Sequence, residues 1–264
     1  MEWLLTVGIL EQLGLLLISF IANGLSALAG GGAGLLQLPI LIFLGLGFST
    51  ALATHKVASV ALGVGATLRH IREGSISWRF ALFILCSGLP GVVLGAFKVL
   101  DFQESFLLIA LGCLTAGLGI YSAIKKGLGM DARKLNRDVR GYLLGGTVLF
   151  AIGCLNGSLT SGTGLFVTLW LVRWFGLDYK QAVAYTLILV GLFWNGAGAI
   201  ALVLQVQPVW DWLPALLAGA IIGAYTGAHL GLKQGNVFIK RVFEALTLLV
   251  GSKLIYDGIS QYLM

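Results

Sequence analysis

The sequence predicts an all-α membrane protein: two inverted-topology repeats of about five hydrophobic segments each, with glycine-broken short or re-entrant helix pairs meeting near the midplane. Three observations carry this. The chain of 264 residues is 58% hydrophobic and only 11% charged, with mean hydropathy +0.95, whereas a water-soluble domain carries roughly a quarter charged residues. Polar breaks near residues 30, 48, 74, 101, 132, 160, 178, 208 and 235 divide it into ten apolar segments. Finally, glycine interrupts those segments at matching places, a recurrent mark of transporter binding sites. Asn23-Gly24 precedes Gly30-Gly31-Gly32-Ala33-Gly34, and Asn156-Gly157 precedes Gly162-Thr163-Gly164.

Taken in order, the elements support that fold. The N-terminal Met-Glu-Trp-Leu-Leu has no basic region before its apolar run, so the first segment reads as part of the fold rather than a cleaved leader. Stretches such as Leu82 to Val99, Phe106 to Ile124 and Ala182 to Leu204 are long enough to cross about 30 Å of hydrocarbon as helices. No strand alternation supports a barrel. Residues 1–124 form the first repeat, 125–140 a basic linker, and 141–264 the second repeat. Gly91-Val-Val-Leu-Gly95-Ala96 aligns with Gly223-Ala-Tyr-Thr-Gly227-Ala228, Trp78 with Trp210, and Ile120-Tyr121 with Ile255-Tyr256. Five segments per half force the second half to enter the membrane upside down. Gly141 to Gly176 must supply two legs and a turn from 36 residues. Each leg then reaches roughly 24 Å, short of a full crossing.

Charge placement sets the expected topology. Fourteen of the 17 lysines and arginines fall at the breaks near 74, 132, 178 and 235. The positive-inside rule then puts both termini outside, on the side away from the cytoplasm. The basic linker is a topology determinant on this reading, and no nucleic-acid partner is expected. Cys86, Cys113 and Cys154 lie in apolar segments without C-x-x-C spacing and read as buried apolar-like residues.

The glycine apexes suit an anion. Glycine lets the backbone turn sharply and approach a ligand, and helices starting near Leu35 and Leu165 would aim unpaired N–H groups at it. Small neutral side chains surround both apexes: Asn23, Ser26, Gln37, Asn156, Ser158, Thr160, Ser161 and Thr163. They can donate hydrogen bonds to oxyanion oxygens without adding full charge. The third segment opens Ala53-Thr54-His55-Lys56, placing Lys56 about one turn into a membrane helix, where an ionisable residue is functional by default. The competing reading is a lysine that snorkels to the interface. His55 is a candidate for proton coupling. Tyr185 and Thr186 stand at the matching place in the second half, and Asn195, mid-segment, needs an interhelical partner or a cavity. The candidate substrate-binding set is Asn23, Gly30, Gly31, Gly32, Gln37, Thr54, Lys56, Asn156, Ser161, Gly162, Thr163 and Asn195.

Other patterns point elsewhere. Gly219, Gly223, Gly227 and Gly231 at four-residue spacing form a helix-packing seam. Gly30 to Gly34 lacks the G-K-[ST] ending of a phosphate loop, His70 and His229 lack metal-ligand spacing, and no H-E-x-x-H occurs. No G-x-S-x-G or placed base supports an enzyme, and no cofactor is expected.

These residues resemble the TauE/SafE family, also called the sulfite exporter or TSUP family. The likeness is clearest in Gly24 to Leu41 with Pro39, in Ala53-Thr54-His55-Lys56-Val57-Ala58, in Gly74-Ser-Ile-Ser-Trp78-Arg79, and in Ser161-Gly-Thr-Gly164. Two departures stand out. His55 occupies a place where the family often has Asn, and the second half has no proline at Leu169 or Trp170 where Pro39 would align. The resemblance implies a secondary transporter of small sulfur-containing anions (sulfite, thiosulfate or sulfonates such as sulfoacetate) in the bacterial inner membrane. A passive anion channel, or a transporter of a non-sulfur organic anion, is the alternative.

Overall fold

Ten helical rods occupy the ten apolar segments of this computed structural model, which describes residues 8–73, 76–98, 104–158 and 162–263. In chain order they are α1 (Ile9–Ala29), α2 (Ala33–Phe43), α3 (Phe48–His70), α4 (Trp78–Lys98), α5 (Glu104–Ile124), α6 (Val139–Ser158) and α7 (Thr163–Phe175). Then follows one long rod made of α8 (Tyr179–Tyr185), a π-helical stretch (Thr186–Trp194) and α9 (Asn195–Val203), and finally α10 (Leu213–Gln234) and α11 (Asn236–Leu263). No strand occurs among the described residues. Among the described residues, six rods have the length and apolar composition of a membrane crossing: α1, α3, α4, α6, the α8–α9 rod and α10. Their outer faces carry side chains such as Leu143, Ile200 and Ile222, exposed to what would be lipid. The ladder bonds inside each helix pair its interior backbone groups, as hydrocarbon requires.

Glycine decides how closely these rods approach. A Cβ at Gly219, Gly223 or Gly227 of α10 would run into the backbone carbonyls of Leu16, Phe20 and Gly24 of α1. The numbers rise together, so α1 and α10 run parallel. Gly91 and Gly95 of α4 meet the carbonyls of Phe150 and Cys154 of α6 in the same way, a second parallel pair. α5 and α11 pack antiparallel through Gly112, Gly251 and Gly258. α3 opposes the α8–α9 rod through Gly63 and Gly191. Small residues allow close backbone approach where the lipid supplies no hydrophobic drive between helices. Gly223→Val is therefore expected to cost about 1–3 kcal/mol by overpacking the α1–α10 seam, read as a lower thermal midpoint in detergent.

The glycine-broken hairpins differ from the expected equal legs. Their first arms, α1 and α6, have 21 and 20 residues, and only the returning arms α2 and α7 are short, at 11 and 13. At 1.5 Å per residue, α2 and α7 reach roughly 16 and 20 Å. The turns consume few residues, which leaves the entering arms their full length.

The basic linker is tied down by specific bonds. Arg133 N–H donates to the Gly176 carbonyl (2.6 Å) and Leu135 N–H to that of Phe175 (3.3 Å), while Asn136 Nδ2 donates to the Trp174 carbonyl (2.7 Å). The linker thereby satisfies the last carbonyls of α7, which have no partner within the helix. Asp138 then accepts the Gly141 N–H (3.2 Å) and starts α6. Nearby, Arg69 pairs with Glu73 (2.7 Å) and donates to His229 Nδ1 (3.2 Å), joining α3 to α10. The hydrogen bond from Arg69 holds the Glu73 carboxyl below the usual carboxylate range.

Two expectations need correction. The cysteines are not buried: Cys86 and Cys113 are exposed on the bundle exterior, Cys154 is half-buried, and all three are free thiols. Their helices turn small-residue faces inward and leave these positions outside. Lys240, counted among the cations at the break near 235, is buried inside α11 instead. α11 begins at Asn236, so Lys240 points into a cluster with Ser122 and Glu244.

Candidate functional site

Four glycines with positive φ build the site. Gly30, Gly31 and Gly32 adopt φ of 82°, 140° and 100°, and Gly162 adopts 75°, values that side chains with a Cβ rarely take. The Ser26 carbonyl accepts the N–H groups of Gly30 and Gly31, both at 2.9 Å, and closes α1. Helix α2 then starts at Ala33 and α7 at Thr163, two residues earlier than the Leu35 and Leu165 expected. The left-handed glycine at each N-cap turns the chain directly into the helix. Neither Gly32 nor Gly162 offers a capping side chain, so each first turn leaves N–H groups and the positive dipole end unmasked by a side-chain cap.

The two apexes touch. A Cβ at Gly31 would lie 2.5 Å from Gly164 Cα, and Thr168 Oγ1 donates to the Gly30 carbonyl at 2.8 Å. Between them lies a cavity of about 30 Å³, room for one or two waters. Gly31, Gly32 and Ser26 line it from the first hairpin, and Asn156 and Thr163 from the second. His55 and Ser59 reach it from α3, and Thr186 and Asn195 from the α8–α9 rod. Among the described residues, no carboxylate lines it. Ser26 Oγ and His55 Nε2 are buried there without a hydrogen-bond partner. Orphaned buried polar atoms are uncommon, so both atoms have hydrogen-bonding capacity to offer a molecule in the cavity.

Lys56 is fully buried, which rules out the snorkelling reading. Helix α3 begins at Phe48, so Lys56 lies more than two turns in, deeper than the single turn expected. Its Nζ donates to the Asn156 carbonyl (2.6 Å) and to Asn156 Oδ1 (2.9 Å). The Lys56 amino group thus meets the carbonyl end of α6 and stands behind Asn156, outside the cavity wall. A Cβ at Gly198 would fall 2.5 Å from Lys56 Cε, so the glycine makes room for the lysine stem. With its oxygen held by Lys56, Asn156 turns Nδ2 to Thr163 Oγ1 (2.8 Å) and to Asn195 Oδ1 (3.4 Å).

Asn23 and Gln37 form a layer behind the cavity. Asn23 Nδ2 donates to the Ser19 carbonyl (2.7 Å), Gln37 Nε2 to Ser19 Oγ (3.3 Å), and Gln37 Oε1 sits 3.0 Å from His55 Nδ1. Gln37 therefore orients the imidazole and leaves Nε2 for the cavity side. Thr54 does not join the site. Its hydroxyl donates to the Thr50 carbonyl (2.7 Å) and accepts the Val209 N–H (3.0 Å), pinning α3 to the turn before α10. Thr54→Val is expected to lower stability by about 1 kcal/mol and leave the half-saturating anion concentration unchanged, which thermal unfolding and flux together would show. Ser161 lies outside the described residues.

Sequence reasoning missed Ser59, Thr168, Val190 and Gly191. The first two follow helically from signalled neighbours: Ser59 lies one turn beyond His55 and Lys56, and Thr168 about one turn into α7. The π-helical stretch, a feature that often marks functional positions, brings Thr186, Val190 and Gly191 onto the cavity and has no simple sequence periodicity. Among the described residues, no group of histidine, cysteine, aspartate or glutamate could hold a metal ion.

The chain is similar to known proteins over most of its length. The family pattern described as "Sulfite exporter TauE/SafE" matches residues 15–254. A "Probable membrane transporter protein" of Haemophilus influenzae is 27% identical over 242 residues, covering 91% of this chain and 92% of its own. The "Probable membrane transporter protein YfcA" of Escherichia coli K12 is 27% identical over 253 residues, covering 95% and 91%. The "Probable membrane transporter protein YunE" of Bacillus subtilis is 22% identical over 271 residues, covering 93% and 97%. With glycine-capped apexes and a matching pattern over most of its length, the chain belongs to the sulfite exporter TauE/SafE family.

Proposed function

We propose that the chain is a secondary transporter that moves a small sulfur-containing anion by alternating access, with the two glycine apexes as its binding site. The observation that carries this reading is the convergence of two helix N-termini without side-chain caps on one cavity whose polar side chains, among the described residues, are hydroxyl, amide and imidazole groups with no carboxylate. Backbone N–H groups of α2 and α7 would bind the oxyanion. Asn156 and Thr163 would add side-chain bonds, and Lys56 would compensate charge through Asn156. A cavity of about 30 Å³ is too small for a sulfonate, so the apexes separate on loading and close again behind the substrate.

Two further observations support an inverted repeat. Exchanging α1 with α6, α4 with α10, α3 with the α8–α9 rod and α5 with α11 reproduces the helix pairings. Equivalent helices α3 and α8–α9, and α5 and α11, oppose each other antiparallel at their glycine contacts, as a two-fold axis in the membrane plane requires. Both short arms then end inside the membrane, and the basic end faces the cytoplasm. His55 is the proton-coupling group on this reading. A proton on Nε2 would let the imidazole donate to the anion, so that proton and anion load together.

Proteoliposome uptake of radiolabelled sulfite, thiosulfate and sulfoacetate, with and without an imposed pH gradient, tests this. Saturable uptake of at least one anion, driven above equilibrium by the gradient, is expected. Saturable but gradient-independent flux would remove proton coupling, non-saturable flux would indicate a channel, and no flux of any would sink the sulfur assignment.

A further inference from the structure

A second space opens at the basic end, bounded by α4, α6, α7, α8 and the linker, with a volume of about 590 Å³. Arg79, Arg133, Lys134 and Arg137 line it, and among the described residues no carboxylate does. Its floor is aromatic. Phe80 meets Phe175 edge-on at 5.0 Å and Tyr185 at 5.3 Å, and the Arg137 guanidinium lies 4.0 Å above the Phe80 ring. Tyr185 Oη accepts the Ser77 N–H at 2.6 Å, which fixes the phenol. Tyr185 lines this basin, while the next residue, Thr186, lines the central cavity. Consecutive residues of one helix therefore line the two spaces.

We propose that this basin is a second anion site: the cytoplasmic station of the path, where the same small oxyanion waits before passing the Phe80–Phe175–Tyr185 barrier. The inference rests on the transport reading above. A topology signal needs cations in the loop, but it does not need them gathered over an aromatic floor beside the binding cavity. Converging cations without a carboxylate raise the local anion concentration, and guanidinium groups match oxyanion geometry. Such attraction weakens within a Debye length of about 8–10 Å as salt rises. Arg133 uses its backbone N–H to finish α7, so its side chain is replaceable without loosening the linker.

The experiment uses proteoliposomes of defined orientation, sulfoacetate as probe, and the triple variant Arg79→Gln, Arg133→Gln, Lys134→Gln, three exposed positions. For entry from the basic end, the half-saturating concentration should rise roughly tenfold and lose its salt dependence. Entry from the opposite end should be unchanged. Wild-type values from both ends, or an equal rise at both, would overturn the proposal. Phosphatidylglycerol that copurifies with the wild type and is lost from the variant, with sulfoacetate kinetics unchanged, would make the basin a lipid site and also overturn it. If the wild type moves no sulfoacetate, the transport reading fails by itself. The basin is then judged by calorimetry on Asn156→Ala: sulfoacetate binding that disappears when the triple change is added retains the site, and no binding rejects it.

Discussion

Lys56→Ala is expected to lower anion flux by roughly 10- to 100-fold while the protein still folds. The ammonium makes two bonds to Asn156, at 2.6 and 2.9 Å, and hydrogen bonds to charged groups are worth about 1.5–3 kcal/mol, with each 1.4 kcal/mol a factor of about ten. Without it, the Asn156 amide loses the partner that fixes which way it faces, and the cavity loses its nearby positive charge. Lys56→Met keeps the stem beside Gly198 and removes only the charge, so it separates packing from electrostatics and should show a similar loss. Size-exclusion profiles and thermal midpoints report folding, and proteoliposome uptake reports function. Wild-type flux from either folded variant would remove Lys56 from the mechanism.

Gly31→Ala should do more damage, because it strikes the contact between the apexes. The new methyl group would lie 2.5 Å from Gly164 Cα and 2.8 Å from Leu165 N, at a φ of 140°. These are backbone atoms, which cannot swing aside as a side-chain tip can. Overpacking of this kind costs about 1–3 kcal/mol, and backbone strain at a sparsely populated φ adds about 1–3 kcal/mol. The thermal midpoint should fall, and uptake should be lost even below that midpoint, since the start of α7 must move away from the site. Gly45 also has positive φ, 98°, but nothing lies within 4 Å of a Cβ there. Gly45→Ala therefore measures strain alone, and it should leave uptake near the wild-type level.

The ten rods were legible because lipid-soluble segments must be apolar throughout and each break needs polar or glycine residues. Lys56 and Asn156 were legible because charge and amide groups are expensive inside such segments. Their mutual bond was not, as it joins residues 100 positions apart. Thr54 looked like its neighbours His55 and Lys56 but turns toward Val209, since adjacent residues on a helix face different directions. The role of the linker was hidden for a similar reason. Its charge pattern suggested topology alone, whereas its backbone and Asn136 close the end of α7. The cysteines were misplaced because a membrane protein's exterior is as apolar as its core, so composition cannot distinguish the two faces. The π-helical stretch escaped because its residues, Thr186 to Trp194, read as an ordinary apolar helix.

The most direct measurement is a structure determined with sulfoacetate bound. The sulfonate should lie between the two apexes, against the first-turn N–H groups of α2 and α7, with Asn156 Nδ2 and Thr163 Oγ1 within hydrogen-bond distance and the cavity enlarged beyond about 30 Å³. A sulfonate bound elsewhere with the apexes still in contact, or none bound at saturating concentration, would contradict the assignment of the glycine apexes as the binding site.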